Sequence, residues 1–180
     1  LFFGGRHDHY LTQEADGFAA IAGGAAAVAT DAQGHRMGLS GVGTVPHSLI
    51  AAYNGDTVLA SKKFVEHIDA EVPFTALVDF DNDCVNTALD VAHAVGQRLH
   101  SVRLDTSASL IDVSLKGRAE AEIGVNTTLV SKTRRAMDGA RFQRVQIVVS
   151  SELSATKVAK FDALQSPSMT MASVLQLRRT

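Results

Sequence analysis

The chain has no tryptophan and a single cysteine, Cys84, among its 180 residues. One cysteine cannot form a disulfide within the chain and says little about the redox compartment. We interpret Cys84 as a small apolar residue near a helix start, since free cysteines are commonly buried, and not as a catalytic thiol. Hydrophobic residues make up 46% of the sequence, which is ordinary for one globular domain with a sizeable core.

Long apolar runs and a large net charge are also absent. No apolar stretch reaches the roughly 18 residues of a membrane-spanning helix, and the Ala-rich run 18–29 is broken by Gly23 and Gly24. The start does not resemble a secretory signal, because Arg6 and further charged residues follow almost at once. The formal net charge is −2, so no basic field attracts nucleic acid or an anionic membrane. We therefore expect a cytoplasmic protein without nucleic-acid or membrane partners.

The sequence does contain an alternation of short apolar strands with amphipathic helices. Strands are predicted over 75–80, 101–106 and 144–150. Helices are predicted over 11–22, 56–67, 84–97, 126–138 and 155–164. Between them we predict a short buried strand or tight helix at 25–29, a glycine-rich loop at 34–43 and a surface excursion at 112–124. Strand, helix and strand at this spacing indicate parallel βαβ units, and hence an α/β domain with helix crossovers.

The segment 101–107 carries the clearest functional signal. Val102 and Leu104 would face one side of the strand, and Arg103 and Asp105 the other. A parallel sheet is normally covered on both faces, so charged side chains on one face need an explanation. They could point into a polar site at the mouth of a barrel, or form a surface ion pair on an edge strand. The residues alone leave both interpretations open.

A second candidate is His47, in the segment Gly-Thr-Val-Pro-His-Ser-Leu-Ile at 43–50. Pro46 suits the first turn of a helix, where unpaired backbone N–H groups bind anions readily. A histidine at that place could act as nucleophile, phosphoryl acceptor or general base. The more common alternative is a histidine at a helix start that bonds a nearby carbonyl.

Weaker signals concern anions and metals. Arg6 follows paired glycines and could bind a carboxylate or phosphate, or stack on a flat ring. The small-residue loop 107–109 would let phosphates approach backbone amides. The acidic string 79–83 lacks the glycine and the terminal glutamate of a calcium loop, so the metal ligands stay unknown.

Several segments taken together resemble nicotinate phosphoribosyltransferases, the enzymes that salvage nicotinate for NAD synthesis. These segments, in chain order, are Phe-Phe-Gly-Gly-Arg at 2–6, the His47 segment at 41–50, Asn-Gly-Asp-Thr-Val at 54–58, Leu-Val-Asp-Phe-Asp-Asn-Asp at 77–83 and Val-Arg-Leu-Asp-Thr-Ser at 102–107. Order and spacing match over about residues 1–150. The resemblance implies an irregular parallel α/β barrel of the type II phosphoribosyltransferase kind. Residues 1–180 would be a single barrel fragment without the family's N-terminal domain, and the start at Leu1 in place of methionine fits a piece of a longer product.

The same resemblance implies an activity. A 5-phosphoribosyl group would pass from phosphoribosyl pyrophosphate to nicotinate, giving nicotinate mononucleotide and pyrophosphate. ATP hydrolysis would be coupled through a phosphohistidine, with Mg²⁺ assisting, and the complete protein would be a homodimer. Two alternatives stay open: a non-catalytic remnant that binds a nucleotide or a partner, and a salvage enzyme for a related pyridine base.

The resemblance also implies roles for individual residues. His47 would be phosphorylated, and Arg103 and Asp105 would complete the catalytic set. The residues implied to bind substrates are Phe3, Arg6, Thr30, Asp31, Asp79, Thr106 and Ser107.

Three features depart from the family pattern. Arg6 is followed by His7, where the family usually shows two arginines. Ser150-Ser151-Glu152 stands where the family has Ser-Gly-Gly. No glycine-rich phosphate turn can be recognised in 168–180. Phosphate binding by the last 30 residues is therefore the weakest part of the prediction.

Overall fold

The structure is a computed structural model that describes residues 1–4, 9–117, 122–151, 153–163 and 169–171. The helices in these ranges are α1 (Gln13–Ala22), α2 (Asp31–Gly34), α3 (His47–Ala52), α4 (Thr57–His67), α5 (Cys84–Val95), α6 (Thr127–Gly139) and α7 (Ala155–Asp162). The strands are β1 (Phe74–Leu77), β2 (Leu99–Leu104), β3 (Gln146–Val149) and β4 (Met169–Met171). The three predicted strands and the five predicted helices are confirmed, with shifts of up to about three residues at their ends, as is usual for boundaries read from a sequence.

The strands form one parallel sheet in the sequential order β1-β2-β3-β4. A helix connects each pair: α5 lies between β1 and β2, α6 between β2 and β3, and α7 between β3 and β4. Right-handed crossovers in sequential order place all connecting helices on the same face of the sheet. The predicted parallel α/β architecture is confirmed. The described strands make an open sheet, so closure into a barrel remains a prediction.

Polar side chains fix where the crossover helices begin. Asp83 accepts a hydrogen bond from the backbone of Asn86 at the start of α5, and Asn126 accepts one from Leu129 at the start of α6. Such a cap contributes about 1 kcal/mol to helix stability. The helix starts are thereby specified locally, which sets the lengths of the loops that leave β1 and β2.

The main core lies between the sheet and its crossover helices. Alternate strand residues point into it, among them Phe74, Ala76, Val78, Val102, Leu104, Ile147 and Val149. Because strand side chains alternate between faces, the intervening residues point to the opposite side. That second face carries the polar residues described below.

Cys84 belongs to this core. It is the first residue of α5 and has no exposed surface. Burial raises the pKa of its thiol well above the ordinary value, so little reactive thiolate is present near neutral pH. The interpretation of Cys84 as a small apolar residue is confirmed.

Two predicted segments before the sheet take a different form. Residues 25–29 form neither a strand nor a helix, and Val28 makes one isolated parallel bridge with Phe2. The glycine-rich stretch 34–43 is not a loop throughout. Its first residue ends α2, and a 3-10 turn at His35–Met37 follows. The capping box of Thr30 with Gln33 favours this helical turn, a local pairing that outweighs the glycine content.

The predicted surface excursion at 112–124 is wrong in part, because Asp112 and Leu115 are fully buried. The Asp112 carboxylate accepts hydrogen bonds from the backbone N–H groups of Cys84 and Ser114. A buried carboxylate is tolerated when backbone donors satisfy it. Asp112 therefore ties the loop after β2 to the start of α5.

No described helix is long and apolar enough to span a membrane.

Candidate active site

The second face of the sheet carries three layers of side chains across β1, β2 and β3. The first layer, nearest the amino ends of the strands, is Thr75, Ser101 and Gln146. The second layer is Leu77, Arg103 and Val148. The third layer, at the carboxyl ends, is Asp79, Asp105 and Ser150. The third layer follows the strands directly, and the Val78 N–H to Arg103 carbonyl and Ser150 N–H to Leu104 carbonyl bonds extend the ladder to it. Ligand sites of parallel sheets lie outside the carboxyl ends of the strands, which is where this layer stands.

Asp105 is held between β2 and β3 by two hydrogen bonds. Arg103 Nη2 lies 3.1 Å from Asp105 Oδ2, and Ser150 Oγ donates to Asp105 Oδ1 at 2.6 Å. Arg103 Nη1 donates to the hydroxyl of Thr44. With 9% of the Arg103 side chain exposed, this pairing is largely withdrawn from water. The ion pair that the sequence left open is therefore a nearly buried one with a fixed orientation.

The ring of Phe3 extends this group, with its centroid 5.8 Å from Arg103 Cζ. A guanidinium at that distance is attracted to the negative face of the ring. Together they offer a flat apolar surface next to a positive charge.

A second pair lies beside the first. His47 Nε2 is 3.2 Å from Asp79 Oδ2, and the His47 side chain is 46% exposed, whereas that of Asp79 is 6% exposed. Asp79 Oδ1 is buried without a hydrogen-bond partner. Desolvation raises the pKa of Asp79, Asp105 adds to this effect, and His47 opposes it. Asp79 is therefore an energetically costly carboxylate, as is common in sites that bind cations or move protons.

The local sequence explains how His47 reaches Asp79. Val45 is buried in the main core and anchors the segment. Pro46 is the N-cap residue with an extended backbone, φ −87° and ψ 158°, and His47 is the first residue of α3. The fixed φ of proline favours this geometry at a helix start. The side chain of His47 then points across to the end of β1.

The other residues predicted to bind substrates lie in different places. Thr30 caps α2, and Asp31 accepts a hydrogen bond from the Gly41 backbone at 2.7 Å, so both serve local structure. Thr106 is buried with its hydroxyl 3.4 Å from Cys84 Sγ, on the core side of the sheet. Ser107 Oγ lies 2.9 Å from Ser109 Oγ in the exposed loop after β2. Arg6 lies outside the described residues.

Two residues that contact Arg103 or Asp105, namely Thr44 and Ser150, were not selected from the sequence as site residues. Ser150 could have been found, because it is the last residue of the third predicted strand and so lies, like Asp105, at the carboxyl end of its strand. Thr44 could not, because it meets Arg103 across 59 residues of sequence. Only the folded chain brings it there.

Ser151 stands out in the backbone that follows Ser150. Its φ is +75°, in the left-handed region that glycine adopts readily and most other residues avoid. Ser151, the first of the two positions at which the sequence departs from the Ser-Gly-Gly pattern, therefore has a glycine-like backbone conformation. A serine in this region costs about 1 kcal/mol.

Replacing Ser151 by glycine is expected to raise the free energy of unfolding by about 0.5 kcal/mol. The relief of backbone strain exceeds the extra entropy that glycine brings to the unfolded chain. Urea unfolding of Ser151→Gly against the parent chain measures this difference. Ser109→Gly is the matched control, and it is expected to lose stability because Ser109 has no positive φ. A loss of 1 kcal/mol or more in Ser151→Gly would contradict the assignment of strain.

The fold and the layered face define a parallel α/β protein with a polar, partly buried site at the carboxyl ends of its strands. No protein-family model and no curated protein matches the chain. Among solved structures, the chain is similar to a nicotinate-nucleotide pyrophosphorylase from Pyrococcus furiosus, with 31% sequence identity and a TM-score of 0.77. The match covers 94% of this chain and 40% of that protein, so the chain spans less than half of its length.

Proposed function

We propose that the chain carries part of the active site of a phosphoribosyltransferase of NAD synthesis, which transfers a 5-phosphoribosyl group from phosphoribosyl pyrophosphate to nicotinate. The observation that supports this most directly is the pairing of Arg103 with Asp105 beside that of His47 with Asp79, at one sheet edge. The similar protein is named for chemistry that involves a nicotinate nucleotide and pyrophosphate. Those two compounds are the products of the proposed reaction.

The reaction requires opposite charges at two places. The pyridine nitrogen of nicotinate bonds to C1 of the ribose while the bond from that carbon to pyrophosphate breaks, and the electron pair leaves with pyrophosphate. Positive charge develops on the ribose, so Asp79 and Asp105 are suited to stabilise it. Arg103 is suited to bind an anion, because its planar fork matches a phosphate or a carboxylate. Thr44 and Asp105 already hold that fork in place.

Phe3 and Arg6 are the proposed contacts of the pyridine substrate. The Phe3 ring beside Arg103 gives a flat surface on which an aromatic base can stack. Arg6 would then meet the nicotinate carboxylate. A related base without that carboxylate would leave the Arg6 charge unpaired, so the same site would discriminate against it.

His47 is the proposed phosphoryl acceptor. Its Nε2 faces Asp79, which favours the tautomer with the proton on Nε2 and leaves the Nδ1 lone pair as the nucleophile. Phosphoryl transfer from ATP would form a bond between phosphorus and Nδ1 and break the bond to the ADP oxygen. Asp79 would stabilise the positive charge that the ring gains in this step.

The described residues are compatible with Mg²⁺ only if the substrates help to hold it. They contain no group of three or more His, Cys, Asp or Glu side chains arranged for a metal ion. Magnesium is, however, commonly bound by one or two carboxylates plus substrate phosphates. The unpartnered Oδ1 of Asp79 and the carboxylate of Asp105 supply such oxygens. When bound, the ion would neutralise phosphate charge.

A non-catalytic remnant is the second candidate, and Ser151 favours it. A side chain at the position of a glycine in the phosphate turn hinders the approach of a phosphate to the backbone. A remnant of this kind would bind phosphoribosyl pyrophosphate weakly at any magnesium concentration.

The decisive experiment is an assay for nicotinate mononucleotide. The purified protein is incubated with nicotinate, phosphoribosyl pyrophosphate, Mg²⁺ and ATP, and the product is detected by chromatography. Product that disappears when nicotinate is omitted supports the transferase. If the protein at its full natural length forms no product and does not bind phosphoribosyl pyrophosphate, the transferase proposal fails and the remnant is favoured.

Replacing His47 by alanine is expected to abolish the stimulation by ATP and to leave slower, ATP-independent product formation. The imidazole is needed only as the phosphoryl acceptor, whereas Arg103 and Asp105 remain in place. The measurement compares initial rates with and without ATP, together with phosphate incorporation from labelled ATP. His67→Ala, an exposed histidine at the end of α4, is the matched control. Unchanged ATP stimulation in His47→Ala would exclude the phosphohistidine.

A further inference from the structure

A polar cleft lies at the amino ends of the strands, where β1 and β2 begin, at the end of the sheet opposite to the candidate active site. It has a volume of about 250 Å³, and Arg98 and Arg144 line it together with Glu71. β2 has six residues, so the cleft is about 20 Å from the Asp105 layer. Neither the proposed reaction nor the comparison assigns it a role.

Both arginines of the cleft are held in fixed positions by main-chain carbonyls. Arg98 donates to the carbonyls of Ile68, Asp69 and Ala70 after α4. Arg144 donates to those of Gly96 and Leu99, at 2.6 Å and 2.7 Å. Their guanidinium groups are therefore ordered before any ligand arrives, which lowers the entropy cost of binding one.

The positive charges of these arginines are only partly neutralised. Among the described residues, neither Arg98 nor Arg144 forms an ion pair with a carboxylate. The carbonyls that they contact are neutral, so Arg98, Arg144 and Glu71 together give the cleft lining a formal charge of +1. Each guanidinium has five N–H donors. Arg98 uses three of them and Arg144 uses two, so donors are left on both.

We propose that this cleft binds a small phosphate anion, either inorganic phosphate or the phosphate of a small monoester. Two ordered guanidinium groups with spare donors match the geometry of a phosphate better than that of a cation or an apolar ligand. The volume lies below the roughly 300–1,000 Å³ of pockets for larger ligands, so a whole nucleotide is too big. The negative charge of Glu71 repels the anion and weakens its binding.

The proposal is tested by following backbone amide signals by NMR during titration with inorganic phosphate, at constant ionic strength set with chloride. Saturable shifts are expected at 70–73, 97–100 and 144, with a Kd of about 1 mM, the weak binding of a small anion. Glycerol phosphate as a second titrant distinguishes the monoester from the free ion by its affinity. Shifts that grow linearly without saturation, or that are absent from these residues, would overturn the proposal.

Charge variants sharpen the test. Arg144→Ala is expected to raise the Kd about 10-fold, and Glu71→Gln to lower it about 3-fold by removing the opposing charge. Arg135→Ala, an exposed arginine on α6, removes the same charge from a distant place and is expected to leave the Kd unchanged. Equal changes of the Kd in Arg144→Ala and Arg135→Ala would show that phosphate affinity depends only on the net charge of the protein, and this result would overturn the proposal. If Arg144→Ala fails to fold, the Glu71→Gln result decides.

The result is independent of the proposed transferase. Arg103→Met removes the arginine that pairs with Asp105, and the shifts at 70–73 and 97–100 are expected to persist in it. Absence of the cleft shifts in a protein that binds phosphoribosyl pyrophosphate and forms product would reject the cleft alone. Saturable cleft shifts in a protein that does neither would reject the transferase and retain the cleft.

Discussion

Replacing Arg103 by methionine is expected to lower the free energy of unfolding by about 3 kcal/mol. The Arg103 side chain is 9% exposed and that of Asp105 is 20% exposed, so the substitution leaves a poorly solvated carboxylate without its cation. Breaking one partner of a buried ion pair commonly costs 3–5 kcal/mol, and the partial exposure of Asp105 places this case at the lower end. Thr44 also loses its donor. Urea unfolding at pH 7 measures the change.

A double-mutant cycle separates the ion pair from the loss of packing. Asp105→Asn in the Arg103→Met background is expected to recover more than 1 kcal/mol, because no buried charge then remains unpaired. Arg103→Lys keeps the charge without the planar fork and is expected to lose about 1 kcal/mol. If Arg103→Met matched the parent chain in stability, the pair would behave as an exposed surface ion pair, which is worth about 0–1 kcal/mol.

The same variants test the proposed function. Arg103→Met is expected to weaken the binding of phosphoribosyl pyrophosphate at least 30-fold, the loss of about 2 kcal/mol from a charge-assisted contact. Isothermal titration in the presence of Mg²⁺ measures this affinity. Arg103→Lys should bind more weakly than the parent, although it loses only about 1 kcal/mol of stability and stays folded. Unchanged affinity in the folded fraction of both variants would indicate that Arg103 only supports the fold.

The alternation of side chains along a strand made the central part of this site predictable. Because successive side chains of a strand point to opposite faces, Arg103 and Asp105 share one face of β2, and Val102 and Leu104 share the other. The polar face and the core face of β2 therefore follow from the sequence. The same rule places Thr106 on the core face, where the structure has it beside Cys84. The substrate-binding role of Thr106 came from the family resemblance, and alternation argues against it.

Contacts between distant segments were not predictable in this way. His47 and Asp79 are 32 residues apart, and no periodic pattern links a helix start to a strand end. β4 was missed because its three residues give too short a run for a strand signal. The burial of Asp112 was missed because a lone acidic residue in a polar segment indicates solvent, and only its two backbone donors explain its position. Local rules thus located the strand that carries the site, and tertiary contacts completed it.

Replacing Asp79 by asparagine is expected to stabilise the fold while it removes function. Burial raises the pKa of Asp79 above its ordinary value of 3.8. The folded state therefore binds this proton more tightly than the unfolded state does, and stability falls as the pH rises through the folded pKa. Asparagine avoids that cost, so a gain of about 0.5–2 kcal/mol is expected at pH 7. Because the unfolded carboxyl is protonated below about pH 3.8, the gain should vanish there.

Function should change in the opposite direction. An amide cannot stabilise the positive charge on His47, so phosphorylation of His47 is expected to slow by about 10²- to 10⁴-fold, the usual effect of losing a positioned acid–base group. Urea unfolding at pH 7 and pH 3.5 measures the stability arm, and phosphate incorporation from labelled ATP measures the functional arm. Asp81→Asn, which changes an exposed carboxylate two residues away, is the matched control. It should change the free energy of unfolding and the activation free energy of phosphorylation by no more than about 0.5 kcal/mol each. A destabilised Asp79→Asn with normal phosphorylation would make Asp79 a structural partner of His47. A gain of stability together with a loss of phosphorylation in Asp79→Asn would indicate that the buried carboxylate destabilises the fold and is needed for the reaction.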